Sequence, residues 1–326
     1  MKEQLVTKKI LNWYDLNKRS LPWRKNVSKQ KKQYYTLVSE FMLQQTQVVT
    51  VIPFFNKFIE KIPNLKSLAR ISDKKLIKFW EGLGYYSRAK NLKKTAKLVI
   101  KNFKGNLPSN FEDLLSLPGI GNYTASAILA IAFNKPYIPL DGNIERVLKR
   151  YLYLKKDKEI QKDNLIQKKS IFGSSLRSND YAQALMELGA LICKPKNPLC
   201  NQCPISMKCK SLKMNDFDIR KNSKKNIDKY FLLKVYKNDQ RYLLVKNTKF
   251  NFLKNLTIFP MEELSKPKNF NKNLNFRMSN MNMNIKIKYL KESGKFQSAF
   301  WINKKKLDNY MLPSFTKKIV KYLERN

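Results

Sequence analysis

The chain has 326 residues, long enough for two domains that each bury a hydrophobic core. A hydrophobic content of 43%, with 12% aromatic residues, excludes a largely disordered protein. No apolar run is long enough to cross a bilayer, and the first ten residues lack the apolar centre of a signal peptide. We therefore expect a cytoplasmic protein without a membrane partner. Its formal net charge of +42 would attract a polyanion such as nucleic acid, in a salt-sensitive manner.

The first predicted element is an amphipathic helix over residues 3–17, where apolar residues recur at helical spacing. The segment Arg19 to Arg24 breaks this pattern. Residues 26–33 are polar and rich in lysine, which predicts a surface loop.

A second helix is predicted over residues 34–47, and its only acid is Glu40. On a helix, Glu40 shares its face with Leu37 and Leu43. A carboxyl group among apolar neighbours has a raised pKa, which suits a proton donor near neutral pH. The alternative is a solvated Glu on a polar stripe, but apolar residues on nearly every side favour the functional interpretation. The uncharged residues Gln44 to Gln47 either cap the helix or pair with base edges, and the sequence favours capping.

Residues 80–88 form a turn with two glycines, and Leu83 and Tyr85 lie near its tip. Exposed apolar side chains on a loop of a basic protein are typical of wedges that enter between stacked bases. A buried turn between two helices fits the same residues equally well. A basic helix is predicted to resume over residues 89–102.

The stretch from 106 to 143 organises the rest of the chain. No Lys or Arg lies between Lys104 and Lys135, so any phosphate bound here must be held by the backbone. Gly119 and Gly121 precede an apolar helix predicted over residues 122–132, where unpaired N–H groups and the helix dipole favour an anion. A tight turn between packed helices is the simpler interpretation of the glycines. After two prolines, Asp141 precedes another predicted helix, where it would be an N-cap and also a carboxylate held in place for chemistry.

All four cysteines fall close together, and the first of them ends a helix predicted over residues 180–193. Such spacing in a cytosolic protein indicates a metal site rather than a disulfide framework. One tight C-x-x-C pair with wider outer spacings favours a [4Fe-4S] cluster over zinc. The expected ligands are Cys193, Cys200, Cys203 and Cys209.

The remaining residues are predicted to form a linker over 214–229 and a small α/β domain over 230–326. Strand patterns occur at residues 230–236, 242–245 and 285–289, and a closing helix at 316–323.

Taken together, these motifs resemble the MutY family of adenine DNA glycosylases, which carry a helix-hairpin-helix and a Gly/Pro-rich loop ending in Asp. The resemblance covers residues 13 to 210 densely and rests on these segments: Trp13-Tyr14, Leu21-Pro22-Trp23-Arg24, Ser39-Glu40-Phe41-Met42-Leu43-Gln44-Gln45-Thr46-Gln47, Gly82-Leu83-Gly84-Tyr85-Tyr86, Leu117-Pro118-Gly119-Ile120-Gly121, Leu140-Asp141-Gly142-Asn143 and the cysteine spacing. It implies a mainly α, two-lobed glycosylase domain over residues 1–213, with the iron-sulfur loop at 193–209. A smaller, α/β Nudix-like domain would follow.

The resemblance also implies the substrate and the catalytic residues. The expected partner is double-stranded DNA with adenine opposite 8-oxoguanine or guanine, and the expected enzyme is a nucleoid-associated monomer that flips the adenine out. Glu40 would protonate the adenine and Asp141 would stabilise the sugar cation, supported by Asn143 and Tyr123. The related endonuclease III has a nucleophilic Lys where this chain has Tyr123, so no Schiff base would form and the enzyme would be monofunctional.

Further residues match positions that bind the DNA in the family. Those that would line the adenine pocket are Arg24, Leu43, Val48 and Glu187. Those that would wedge the helix and hold the opposite base are Gln45, Thr46, Leu83 and Tyr85. The cluster would be structural. In the C-terminal domain, Ser279 stands in a Met-Ser-Asn segment where the family has Phe-Ser-His, and the chain contains no His.

Two other functions fit parts of the sequence. One is a bifunctional glycosylase/lyase like endonuclease III, which acts on oxidised pyrimidines. The other is a non-catalytic iron-sulfur protein that binds DNA.

Overall fold

The computed structural model describes residues 5–154, 172–218, 226–266, 269–278, 280–291, 296, 299–303 and 312–325. The chain divides into two compact units. The first comprises Met1–Ser72 and Ser87–Lys221, and the second comprises Asp73–Tyr86 and Asn222–Asn326. None of the helices in the described ranges has the length and hydropathy of a membrane span.

The first unit is helical. Its helices are α1 (Leu5–Asn17), α2 (Lys29–Leu43), α3 (Val48–Lys61), α4 (Leu65–Arg70), α6 (Ser87–Asn102), α7 (Phe111–Leu115), α8 (Asn122–Phe133), α9 (Gly142–Leu152), α10 (Ser178–Glu187) and α11 (Lys210–Lys213). A 3-10 turn at Pro22–Arg24 precedes α2, and a π-helical turn at Leu188–Ile192 extends α10 to Cys193. Helix α8 is buried along most of its length, and its small side chains let α2 pack closely against it.

The helix predicted over residues 34–47 has different bounds. Helix α2 begins at Lys29, inside the predicted surface loop, and it ends at Leu43. Its first residues, Lys29, Gln30 and Lys31, are polar and exposed, so apolar spacing cannot reveal them. The segment Gln44 to Gln47 forms a turn between α2 and α3 rather than the end of a helix, because Gln45 adopts a left-handed φ of 57°.

The hairpin predicted before α8 is formed by α7, a short turn and α8. Gly119 has a φ of +82°, which favours glycine, and a Cβ atom there would lie 2.8 Å from Cε1 of Phe41. Gly121 is the N-cap of α8 with extended backbone, and a Cβ atom there would meet no atom within 4 Å. Conformation and packing therefore both require a glycine at 119, whereas neither requires one at 121.

The second unit contains helix α5 (Asp73–Trp80) and a sheet packed on helix α12 (Ser314–Leu323). The strands are β1 (Ile227–Asn238), β2 (Arg241–Lys246), β3 (Thr257–Ile258), β4 (Met261–Leu264), β5 (Leu274–Met278), β6 (Met281–Leu290) and β7 (Ala299–Asn303). Strand β1 is parallel to β6, with Phe231 opposite Ile285, and antiparallel to β2 and β4. Alternate residues of β1, namely Phe231, Leu233 and Val235, are buried in the core cluster that also contains the apolar side chains of α12, as strand periodicity requires.

The second unit differs from the predicted domain boundaries in two respects. Strand β1 begins at Ile227, three residues inside the predicted linker 214–229. Residues 73–86 group with the C-terminal residues instead of with the N-terminal domain. Because this grouping depends on contacts between residues distant in the chain, no local pattern in the sequence could indicate it.

Candidate active site

Asp141 is the N-cap of α9. Its Oδ1 accepts hydrogen bonds from the backbone N–H groups of Asn143 (2.9 Å) and Ile144 (2.7 Å). Its Oδ2 accepts a third from Nδ2 of Asn143 at 2.9 Å. The predicted capping role is confirmed, and the cap fixes both carboxylate oxygens. Burial raises the pKa of Asp141 above its ordinary value, although these three hydrogen bonds and the charge of Arg146 oppose that rise.

Glu40 lies on α2 and is only 5% exposed. Burial, with a smaller contribution from the charge of Asp141, raises the pKa of its carboxyl group to about 7. A hydrogen bond from the Tyr123 hydroxyl and the charge of Arg24 act in the opposite direction. Among the described residues, Oε2 of Glu40 has no hydrogen-bond partner. The apolar surroundings seen in the sequence therefore produce a carboxyl group that holds a proton near neutral pH, with one oxygen left for a ligand.

Glu40 and Asp141 line one cavity of about 570 Å³, together with Tyr123 and Asn143. The structure thus brings the two predicted carboxyl groups together, although they are 101 positions apart in the sequence. Six residues predicted to bind the substrate or the DNA line the same cavity: Arg24, Leu43, Gln45, Thr46, Val48 and Glu187. A cavity of this size lies in the range of small-molecule binding pockets and is large enough for a nucleobase.

Glu187 forms an ion-paired group on one side of the cavity. Its side chain is 1% exposed. The carboxylate accepts hydrogen bonds from Nε and Nη2 of Arg19, both at 2.8 Å, and from Nη2 of Arg24 at 2.9 Å. Burial would raise the pKa of Glu187, but the hydrogen bond from Arg19 and the charges of both arginines outweigh it and hold the pKa below its usual range. Glu187 is therefore an anion in the cavity wall. Sequence analysis did not identify Arg19, because its partner lies 168 positions away.

Arg146 and Gly189 support Asn143, and sequence analysis identified neither. Nη2 of Arg146 donates to Oδ1 of Asn143 and to the carbonyl oxygen of Gly189, at 2.8 and 2.7 Å. Its Nε donates to the carbonyl oxygen of Cys193 at 2.7 Å. Because the oxygen of the Asn143 amide accepts from Arg146, its NH₂ group must face Asp141. The only signal in the sequence was an Arg one turn after Asn143 on a predicted helix.

Substitution of Gly189 by Ala is expected to destabilise the fold. A Cβ atom at position 189 would lie 2.5 Å from Cβ of Asn143 and 2.9 Å from its backbone oxygen, so α9 and the π-helical turn would have to separate. Such overpacking costs about 1–3 kcal/mol. Thermal unfolding should show a midpoint below that of the wild type. A midpoint for Gly189→Ala equal to or above that of the wild type would contradict the packing argument.

The residues predicted to wedge the duplex differ in exposure. Gln45 is exposed, and Tyr85 is 49% exposed with a left-handed φ of 47°. Leu83 is only 5% exposed, so of the two interpretations that the sequence left open for this residue, the structure agrees with the buried turn and not with the exposed wedge. Its backbone N–H closes the turn onto the carbonyl oxygen of Trp80, and this turn directs the side chain inward. Ser279 lies outside the described residues.

The four cysteines are half-buried, and their thiols are close enough to affect one another. Burial, and then the charges of neighbouring cysteines, raises the pKa of Cys200, Cys203 and Cys209. Backbone N–H groups donate to the sulfurs of Cys203 and Cys209, and Nη1 of Arg150 lies 3.4 Å from Sγ of Cys193. Within the described ranges, no three potential ligands converge as a single ion would need. An iron-sulfur cube takes four cysteine thiolates, one on each iron, and four half-buried cysteines with backbone N–H donors near their sulfurs are a set of donors that fits it.

Comparison with known proteins places this geometry in a family. The model for the HhH-GPD superfamily of base excision DNA repair proteins matches residues 38–169. An adenine DNA glycosylase of Buchnera aphidicola subsp. Schizaphis graminum is 39% identical over 259 residues, which is 77% of this chain and 73% of the relative. The adenine DNA glycosylase of Rattus norvegicus is 41% identical over 209 residues, 62% of this chain and 40% of the relative.

A solved structure shares the fold. The structure of a thermostable thymine-DNA glycosylase superposes with a TM-score of 0.57 at 27% identity, and covers 64% of this chain and 95% of that one. The matched segment of the superfamily model contains Glu40, Tyr123 and Asp141. The chain therefore belongs to the adenine DNA glycosylases, within the HhH-GPD superfamily of base excision DNA repair proteins.

Proposed function

We propose that this protein hydrolyses the N-glycosidic bond of adenine that is mispaired with 8-oxoguanine or guanine in double-stranded DNA. The observation that carries the proposal is the pair of carboxyl groups in one cavity. Glu40 has a pKa near 7, and Asp141 is held by three hydrogen bonds. Its relatives of high identity are adenine DNA glycosylases.

In the proposed reaction the adenine is flipped into the cavity and protonated on a ring nitrogen by Glu40. The electrons of the glycosidic bond then leave with the base, and positive charge develops on the sugar. Asp141 stabilises that charge, while Asn143 keeps the carboxylate oriented and Tyr123 holds Glu40 through its hydroxyl group. Water then adds to the sugar cation and supplies the hydroxyl group of the product, and its other proton passes to the Glu40 carboxylate, which restores the acid.

The reaction is proposed to stop at base release, without cleavage of the DNA strand. A lyase would need an amine to form a Schiff base with the sugar. Endonuclease III, which resembles this chain, has a Lys at the position of Tyr123. Among the described residues that line the cavity, none is a Lys.

Recognition of adenine is assigned to Arg24, Leu43, Val48 and Glu187. Leu43 and Val48 supply apolar surface. The ionised Glu187 would accept a hydrogen bond from the exocyclic amine of adenine. Arg19 joins this group because it shares Glu187 with Arg24.

The DNA strand and the opposite base are assigned to other elements. Gly119 and Gly121 would hold a phosphate at the start of α8, where no side chain caps the helix. The residues that would open the duplex are Gln45, Thr46, Leu83 and Tyr85. Because the side chain of Leu83 is buried, this role would require that DNA binding rearranges its turn. The C-terminal unit is proposed to be a Nudix-like module that reads 8-oxoguanine with Ser279, in a monomeric enzyme.

Cys193, Cys200, Cys203 and Cys209 are proposed to hold a [4Fe-4S] cluster. Such a group would supply positive charge that keeps the four thiols deprotonated, against the raised pKa values of Cys200, Cys203 and Cys209, and it would fix the loop that they span. It would not participate in bond cleavage. The carbonyl oxygen of Cys193 accepts from Arg146, so an ordered loop would also keep Arg146 in place.

Base release is expected to decline as the pH rises through about 7, because Glu40 must hold a proton to give it to the base. Burial raises the pKa of Glu40 to that value, so the acid is protonated below it and ionised above it. At low pH the rate should fall again, since the pKa of Asp141 is also raised and its protonation removes the anion. The measurement is kcat/KM from about pH 5 to 9 at constant ionic strength. A rate that keeps increasing above about pH 8 would contradict this assignment.

The test of the function uses a duplex with adenine opposite 8-oxoguanine, incubated with purified protein and analysed with and without alkali. Strand cleavage that appears only after alkali supports a monofunctional glycosylase. Cleavage without alkali indicates a lyase, and no base loss in any sample indicates a protein that only binds DNA. A duplex with adenine opposite thymine provides the control for mispair specificity.

A further inference from the structure

Arg88 is a buried cation outside the catalytic cavity, in the first turn of α6. It is only 6% exposed, and its guanidinium group lies at the C-terminal end of α2. Nη1 donates to the carbonyl oxygens of Phe41 at 3.1 Å, Met42 at 2.7 Å and Gln44 at 2.5 Å. These acceptors begin at the residue that follows Glu40.

The position of this charge explains how it can be buried. The last carbonyl groups of a helix have no partner within the helix, and they carry the negative end of its dipole. A buried guanidinium is costly unless it is hydrogen-bonded, and a helix C-terminus supplies both acceptors and a favourable field. Arg88 therefore stabilises α2 where it ends and holds the backbone of Gln44.

Gln44 connects this point to the hairpin. Its side-chain Nε2 lies 3.2 Å from the carbonyl oxygen of Gly119 and 3.4 Å from Oγ1 of Thr124. Helix α6 also reaches the hairpin directly, because the Thr95 hydroxyl group donates to the carbonyl oxygen of Pro118 at 2.9 Å. The end of α2 and the glycine turn are thus held by the same helix.

The turn after Gln44 is a conformation that needs such support. Gln45 has a φ of 57°, which is unfavourable for a residue with a side chain and persists only where its surroundings determine it. Gln45 and Thr46 line the cavity beside Glu40. A displacement of the Gln44 carbonyl group would move both residues relative to the acid.

We infer that Arg88 is a positioning residue for base release: its guanidinium group fixes the end of α2 and the Gln44 to Gln47 turn, so that Gln45 and Thr46 engage the DNA at a set distance from Glu40. This inference rests on the proposed function. Arg88 does not touch the base, and its effect is exerted through the α2 backbone.

The experiment compares Arg88→Met, which is similar in length but has no donors, with Arg88→Lys, which retains the charge but not the planar group of donors. Lys90→Met is the matched control, because Lys90 is exposed on the same helix. The full-length proteins are assayed for single-turnover release of adenine, with each rate divided by the titrated fraction of active sites. Hydrogen exchange of residues 43–47 is followed in the absence of DNA.

Arg88→Met is expected to lower the rate per active site by at least about tenfold, since small misplacements of reacting groups have effects of this size. Hydrogen exchange of residues 43–47 should become faster in this variant. Arg88→Lys should give intermediate values of both the rate and the exchange, and Lys90→Met should match the wild type. A wild-type rate per active site in Arg88→Met would overturn the inference. If that variant does not fold, wild-type rate and exchange in Arg88→Lys would overturn it instead. Failure of the wild-type protein to release adenine would refute the proposed function, which is a separate outcome.

Discussion

Substitution of Glu40 by Gln is expected to abolish adenine release and to leave DNA binding intact. The amide has the size and shape of the carboxyl group, so the cavity and the bond with the Tyr123 hydroxyl group can be retained. It cannot donate an acidic proton, however, and loss of a positioned general acid costs about 10²–10⁴-fold in rate. The measurement is single-turnover release from a duplex with adenine opposite 8-oxoguanine, together with the dissociation constant of the same duplex.

The control for this substitution is Glu60→Gln, which removes one negative charge at an exposed side chain of α3. In a protein of such high positive charge, loss of any acid strengthens binding to DNA, and the control measures that general effect. If Glu40→Gln releases adenine at the wild-type single-turnover rate, Glu40 is not the acid.

The catalytic pair shows how far local patterns in the sequence extend. Glu40 could be found because Leu37 and Leu43 lie on its face of the helix, and the same spacing buries it and raises its pKa. Asp141 could be found because an Asp before a helical pattern is a common N-cap, and it is one here. Both signals are contained within one turn of helix on either side of the residue.

The residues that sequence analysis missed interact with distant parts of the chain. Arg19 and Glu187 are 168 positions apart, and Arg146 joins α9 to the π-helical turn and to Cys193. The exact end of α2 also depends on a distant side chain, since Arg88 supplies its terminal hydrogen bonds. The sequence left open whether Leu83 is exposed or buried, because burial is set by what packs over a turn, which a local pattern does not contain.

Substitution of Asp141 by Asn is expected to reduce adenine release by about 10²–10³-fold, the usual effect of removing one electrostatic group aimed at a developing charge. Asn is as good an N-cap as Asp, so α9 should still begin at Gly142 and the protein should remain folded. The negative charge beside the sugar is lost, and the NH₂ group of Asn143 then faces an amide instead of a carboxylate.

The residual activity of Asp141→Asn provides a second, independent measurement. The charge of Asp141 contributes to the raised pKa of Glu40, so its removal should move the basic limb of the pH profile to lower pH. Asn143→Ala, which keeps that charge but frees Oδ2, should lower the rate without such a shift. Since Arg146 holds Asn143 from the other side, the two variants separate the charge of the carboxylate from its orientation. A pH profile of Asp141→Asn with an unshifted basic limb would show that the two carboxyl groups do not interact across the cavity.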